Sequence, residues 1–239
     1  MSNGRAINLS PNSLNLYLEC PHCFWLDKNL GVRRPPPYPY ALNSAVDALL
    51  KEEFDAYRAK NLPHPLLAEN NIKARLFQNQ KLLNQWRNNF AGIRFFDTDL
   101  QATLFGAVDD VLEFDDPSAS SGQAKKIAPL DYKSTGSSAV KIYDRFQLQL
   151  DTYTFLMEKN GFQATRKGYL AFYVVDKSKG FIDRLPFRKE ILEIETNPSD
   201  IYEIFKEAVA VLRQPSPPQH SSDCLFGKWL KGAKSFTYS

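Results

Sequence analysis

Apolar and polar positions change period several times along the chain, and each change predicts an element. Ser10-Pro11 opens a short helix through Tyr17, because serine caps free amides and proline suits the first helical position. Pro21 starts a further turn carrying Phe24, Trp25 and Leu26, and Pro35-Pro36-Pro37 imposes an extended link. From Asn43 onward, Val46, Leu49, Leu50 and Phe54 recur at helical spacing, with Lys51, Glu52, Asp55 and Arg58 on a charged outer face. Pro63 and Pro65 end that helix, and another is expected over about 72–86.

The period then shortens. Residues 93–114 read as successive strands rich in Phe, Leu and Val, Ser118 to Gly122 as a surface loop, and 127–133 as a further strand. A strong helix follows over 142–159 and closes at Asn160-Gly161. Residues 169–175 and 181–187 predict a pair of strands. Asn197-Pro198-Ser199 opens a last amphipathic helix to about 212, and Pro215, Pro217 and Pro218 lead into a tail holding Cys224. This order predicts an α/β fold with a mixed central sheet and helices packed against it. It also predicts a single domain over 1–239, with a helical N-terminal part at about 9–90, a core at about 93–190, and a C-terminal helix and tail at about 197–239.

Composition narrows the class. A chain of 239 residues with 43% hydrophobic and 24% charged residues can bury a full globular core. The net charge of +3 neither supports nor excludes nucleic acid, since acidic metal ligands offset local Lys and Arg. Seventeen Phe and eleven Tyr are chiefly core fillers, with base stacking open to some of them. Cys20, Cys23 and Cys224 are too few, and odd in number, for a disulfide framework, so a reducing, cytoplasmic setting is expected. Neither a signal pattern nor an apolar run of spanning length is present, so no membrane partner is expected.

Candidate chemistry starts at Asp131-Tyr132-Lys133. Residues two apart on a strand share a face, so Asp131 and Lys133 project together while Tyr132 points away. A carboxylate there can hold Mg²⁺, and an ammonium can orient a water or stabilise a pentacovalent phosphate. In isolation the pattern more often marks a plain ion pair. In Gly106-Ala107-Val108-Asp109, a tight turn near Gly106 would bring Asp109 beside Asp131, adding the second carboxylate that a hard cation takes. Asp110 competes for that place. Asp109 is favoured because alternation sets Val108, Leu112 and Phe114 on the opposite face. Gln149 and Tyr153, four apart on the following helix, share one helical face; spacing alone is equally consistent with ordinary surface polar residues.

Taken together, Gly106 to Asp109, Asp131-Tyr132-Lys133-Ser134-Thr135-Gly136 and Gln149-x-x-x-Tyr153 resemble the RecB-type branch of the PD-(D/E)XK nucleases. Leu9-Ser10-Pro11-Asn12-Ser13, Tyr17 and Cys20-Pro21 resemble that branch's opening helix. The resemblance implies a restriction-endonuclease-like fold and Mg²⁺- or Mn²⁺-dependent hydrolysis of DNA. Asp109 and Asp131 would be metal carboxylates and the Tyr132 carbonyl a third ligand. Lys133 would position the attacking water, with Gln149 and Tyr153 supporting it. A helicase or another repair or defence protein would be the partner.

The sequence departs from that branch in two places. Many members carry a histidine on an early helix as an extra ligand; here Asp47 stands there, either as its oxygen substitute or as an acid favoured near a helix start. Some relatives, the CRISPR-associated iron–sulfur exonucleases, join an early cysteine to three late ones through a four-iron cluster. Cys20 and Cys224 match two of those positions, but Gly227 stands where a second late cysteine is expected, so no iron–sulfur cluster is expected. Cys20, Cys23 and Cys224 with His22 or His220 suit zinc by ligand type, although His22 between the two cysteines makes sharing awkward. Cysteines packing as small apolar groups is the favoured reading. Pro129, inside the Asp-x-Lys strand, implies an edge strand or a bulge.

Overall fold

The computed structural model describes residues 6–35, 41–115, 125–181 and 183–234. Pro36 and Pro37 of the proline link and the 118–122 loop lie outside the described residues. The chain divides into two compact units. One gathers Tyr40–Phe95 and Phe105–Ser199, and the other gathers Met1–Pro39, Phe96–Leu104 and Asp200–Ser239.

The first of these units is built on a five-stranded mixed sheet. Its strands are β2 (Arg75–Leu76), β5 (Asp110–Asp115), β6 (Lys125–Thr135), β7 (Lys167–Val175) and β8 (Phe187–Glu195), in the order β2-β5-β6-β7-β8. β6 runs antiparallel to β5 and parallel to β7, and β7 is antiparallel to β8. The parallel connection is the crossover helix α6 (Asp144–Lys159), as parallel pairing requires. On one face, Leu112, Leu130, Tyr132, Ala171 and Tyr173 pack against Leu50 and Phe54 of α3 (Ala41–Ala59). On the other, Leu170, Phe172 and Val174 pack against Leu150 of α6.

The other unit holds α1 (Pro11–Glu19), α2 (Pro21–Trp25), α7 (Ile201–Leu212) and α8 (Leu225–Lys234). Ser10 caps α1 by accepting from the Ser13 amide, and Pro11 occupies the first turn. β1 (Ile7–Leu9) pairs in parallel with β4 (Ala102–Gly106), setting Leu9 opposite Leu104. The strand order of that sheet is β1-β4-β3, with β3 at Ile93–Asp97; Ile93–Phe95 and Phe105–Gly106 are counted with the first unit.

Several expectations need correction. The helix expected over about 72–86 is interrupted. Pro65 opens a short helix, α4 (Pro65–Glu69), rather than closing one; β2 follows, and only α5 (Gln80–Arg87) is helical in the expected window. Proline suits a first helical turn better than a last one, and His64 caps α4 through its ring. The partner of β7 is 187–195, not 181–187. Its charged residues at 188–190 obscure the strand pattern. The 225–234 tail is a helix. Leu49 is exposed, whereas Arg58 is fully sequestered and Lys51 half-buried, so the outer face of α3 was drawn a step out of phase. β6 is an interior strand, which removes the edge alternative at Pro129, while the shift from Ile127↔Ala164 to Leu130↔Tyr169 is the irregularity that the bulge alternative expects. Ile127 sends its amide to Gln163 O, and the β7 ladder resumes only at Leu130. Residue 129 points the same way as 127, so the missing donor falls where no ladder partner is due.

Candidate active site

The end of α5 fixes the approach to the site. The Val108 amide donates to Trp86 O at 3.2 Å, and Arg87 Nε donates to Asp109 O at 2.6 Å. β5 begins one residue later, and parity then separates the two adjacent acids. Asp110 turns to the α3 face, where it is buried against Arg58 and Arg87 and accepts from the Tyr132 hydroxyl at 2.7 Å. A fully buried carboxylate with two guanidinium partners is a structural anchor. Asp109 stays on the other side, where its Oδ2 accepts from the Tyr132 amide at 3.1 Å.

On β6, two-residue alternation brings Asp131 and Lys133 to that same side, and their charged groups form an ion pair. Asp131 is 1% exposed, and its Oδ2 is the oxygen that meets the Lys133 ammonium. Burial, and then the charge of Asp109, push the Asp131 carboxyl up to about 7 against the opposing pull of Lys133.

Lys133 is held from α6. Its Nζ donates to Gln149 Oε1 at 3.1 Å, Gln149 Nε2 donates to Tyr153 OH at 2.8 Å, and that hydroxyl donates to Ala107 O at 2.6 Å. The ammonium also lies 4.6 Å from the centre of the Phe146 ring. Burial, reinforced by Asp131 and Asp109, holds the Tyr153 phenol well above its usual range, so it remains a donor. Gly106 matters here through contact rather than through a turn. A Cβ on it would lie 2.6 Å from Tyr153 Cε1.

Asp47 does not contact Asp131. It reaches the site through Lys51, whose Nζ lies 2.7 Å from Asp47 Oδ2 and 3.0 Å from Asp109 Oδ1. Burial pulls the Lys51 ammonium down, but Asp109 and Asp47 outweigh it and the net shift is upward. The helical pattern alone puts Lys51 on the solvent face, and the one local signal for this contact is its four-residue spacing from Asp47. Asp109, Asp131, Lys133, Gln149 and Tyr153 thus form one constellation, with the Tyr132 backbone inside it. Among the described residues, Cys20, Cys23 and Cys224 are buried together in the other unit, beside His220.

The family model described as the PD-(D/E)XK nuclease superfamily matches residues 8–226. No curated protein matches the chain. A solved structure described as "Crystal structure of SSO0001" is similar at 12% identity, covering 91% of this chain and 81% of that one, with a TM-score of 0.45.

Proposed function

The chain belongs to the PD-(D/E)XK nuclease superfamily, and on that premise we propose a divalent-metal-dependent nuclease that hydrolyses DNA phosphodiester bonds at Asp109, Asp131 and Lys133. The observation carrying this reading is the continuity of the group. Asp109 accepts from the Tyr132 amide, Asp131 and Lys133 flank that residue, and Lys133 is fixed by Gln149.

The donor set fits a hard cation. Two carboxylates and a strand carbonyl offer oxygen donors alone, and the Asp131 carboxylate is buried beside Asp109, a juxtaposition of like charges that a cation relieves. The Tyr132 carbonyl shares the strand edge of its own amide, on the Asp109 side. Asp109, Asp131 and the Tyr132 carbonyl would hold Mg²⁺ or Mn²⁺, which would supply Lewis-acid polarisation there. The Lys133 ammonium would orient an attacking water and stabilise the charge gathering on the phosphate oxygens. Gln149 and Tyr153 hold the ammonium in place, and Asp47 acts through Lys51. The RecB-type branch and a helicase or other repair or defence partner rest on the motif resemblance.

One observation favours a second reading, a non-catalytic DNA- or protein-binding module: the Lys51 ammonium already neutralises Asp109. Degradation of labelled single- and double-stranded DNA with Mg²⁺ or Mn²⁺ decides between the two. The nuclease reading expects wild-type cutting, a loss of about 10²–10³ in Lys133→Ala, and no recovery in Lys133→Arg, whose planar guanidinium cannot replace a compact ammonium. Wild-type protein that cuts nothing with either metal supports the binding module.

A further inference from the structure

We propose that Cys20, Cys23, His220 and Cys224 hold one zinc ion as a tetrahedral structural site, taking the place of an iron–sulfur cluster. Cys20 Sγ lies 3.5 Å from His220 Nδ1, Cys23 Sγ 3.9 Å from the same nitrogen, and Cys23 Sγ 3.6 Å from Cys224 Sγ. All four donor atoms lie within 4.8 Å of one another. With Zn–S about 2.3 Å and Zn–N about 2.0 Å, the donors of a tetrahedral ion stand about 3.5–3.8 Å apart. A four-iron cluster does not fit this set. Its thiolates bind separate corners of a cube and are spread wider than donors on one ion, and it normally takes four cysteines where this chain has three.

The surroundings are those of bound thiolates. Cys224 Sγ accepts from the Gly227 amide at 3.4 Å. Three thiolates and a neutral imidazole around a divalent ion leave one excess negative charge, and Arg34 Nη2, 3.9 Å from Cys224 Sγ, offsets it.

Gly227 explains the departure from the cluster pattern. A Cβ on residue 227 would lie 2.8 Å from His220 Cγ and 3.0 Å from His220 Nδ1. The position without a side chain is the one the His220 ring fills, so histidine from the preceding loop takes the fourth corner. His22 is not the ligand. It stacks on His220 with ring centres 3.7 Å apart and bonds Pro218 O through its Nδ1 at 2.7 Å. The ion would thus tie the Cys20 turn to a loop 200 positions away, and in structural sites of this kind metal binding is itself folding energy.

The test is elemental analysis of untagged full-length protein purified anaerobically, with a cobalt-exchanged sample read in the visible. About one zinc per chain is expected, with Co²⁺ giving the strong ligand-field bands of tetrahedral thiolate coordination. His220→Ala should lose the metal. His220→Cys should keep it and shift the cobalt spectrum towards four-sulfur coordination, which separates ligation from simple misfolding of the alanine variant. Asp131→Asn should keep full zinc content, because its site is separate. Iron with a broad visible absorption overturns the proposal, as do metal-free wild-type protein and a His220→Cys cobalt spectrum identical to wild type. None of these outcomes depends on whether the protein cuts DNA.

Discussion

Gln149 accepts the Lys133 ammonium on Oε1 at 3.1 Å and, through its other amide atom, donates to Tyr153 at 2.8 Å. The ammonium is therefore fixed by a chain that ends on the Ala107 carbonyl, close to Asp109 in sequence. Gln149→Leu keeps the bulk and removes both bonds. It should lower kcat on DNA about 10–100-fold, the usual cost of losing a group that orients a ligand or catalyst, with KM little changed. Steady-state rates checked against Lys133→Ala measure this. A Gln149→Leu enzyme as fast as wild type would show that Lys133 needs no support from α6.

Lys51 occupies the space between Asp47 and Asp109, so it competes with a cation for Asp109. Lys51→Met should tighten Mn²⁺ binding about tenfold, the equivalent of about 1.4 kcal/mol, in titration calorimetry on the metal-free protein. Weaker binding instead would make Lys51 part of the working site rather than a placeholder.

Gly106→Ala should push the Tyr153 ring out of place, because the new methyl would lie 2.6 Å from Cε1 and 2.9 Å from Cδ1. Overpacking of this kind costs about 1–3 kcal/mol, readable as a lower denaturant midpoint. Cutting should fall with it, as the displaced hydroxyl releases Gln149. An unchanged midpoint would mean that α6 yields freely at this contact.

His64 predicts a pH effect on stability. It is fully buried, its Nδ1 accepts from the Leu66 amide at 3.1 Å, and its Nε2 faces Glu53 Oε1 at 3.0 Å. Burial lowers its pKa; Lys189 lowers it further, while Glu53 and Asp110 act in the opposite direction. The unfolded chain then takes the proton first as pH falls below about 6.5, so stability is lost from there down through the folded-state value. The denaturant midpoint of wild type should fall more steeply between pH 7 and pH 5 than that of His64→Asn, which keeps an acceptor for the Leu66 amide. Parallel slopes would refute the assignment.

Much of the site was legible because its spacings are local. Asp131 and Lys133 share a face by strand alternation, Gln149 and Tyr153 by helical spacing, and the parity of β5 separated Asp109 from Asp110. Over 72–79 and 181–187, turns and charged edge residues break the period, so the pattern there does not match the elements formed. Apolar spacing sets the phase of α3 only approximately, which is why Lys51 and Arg58 read as surface residues in the sequence.

The sequence by itself determined the superfamily, the mixed α/β order and which residues could share a face, since each follows from chemistry within a few positions along the chain. Only the tertiary structure decided what meets across long separations. It made β6 interior and sent the missing Pro129 amide into a gap in the ladder. It turned Lys51 onto Asp109, packed Tyr153 against Gly106, and brought His220 to Cys20. Periodicity fixes the direction of a side chain relative to its own element. Its partner is set by how elements pack, and that depends on the whole core at once.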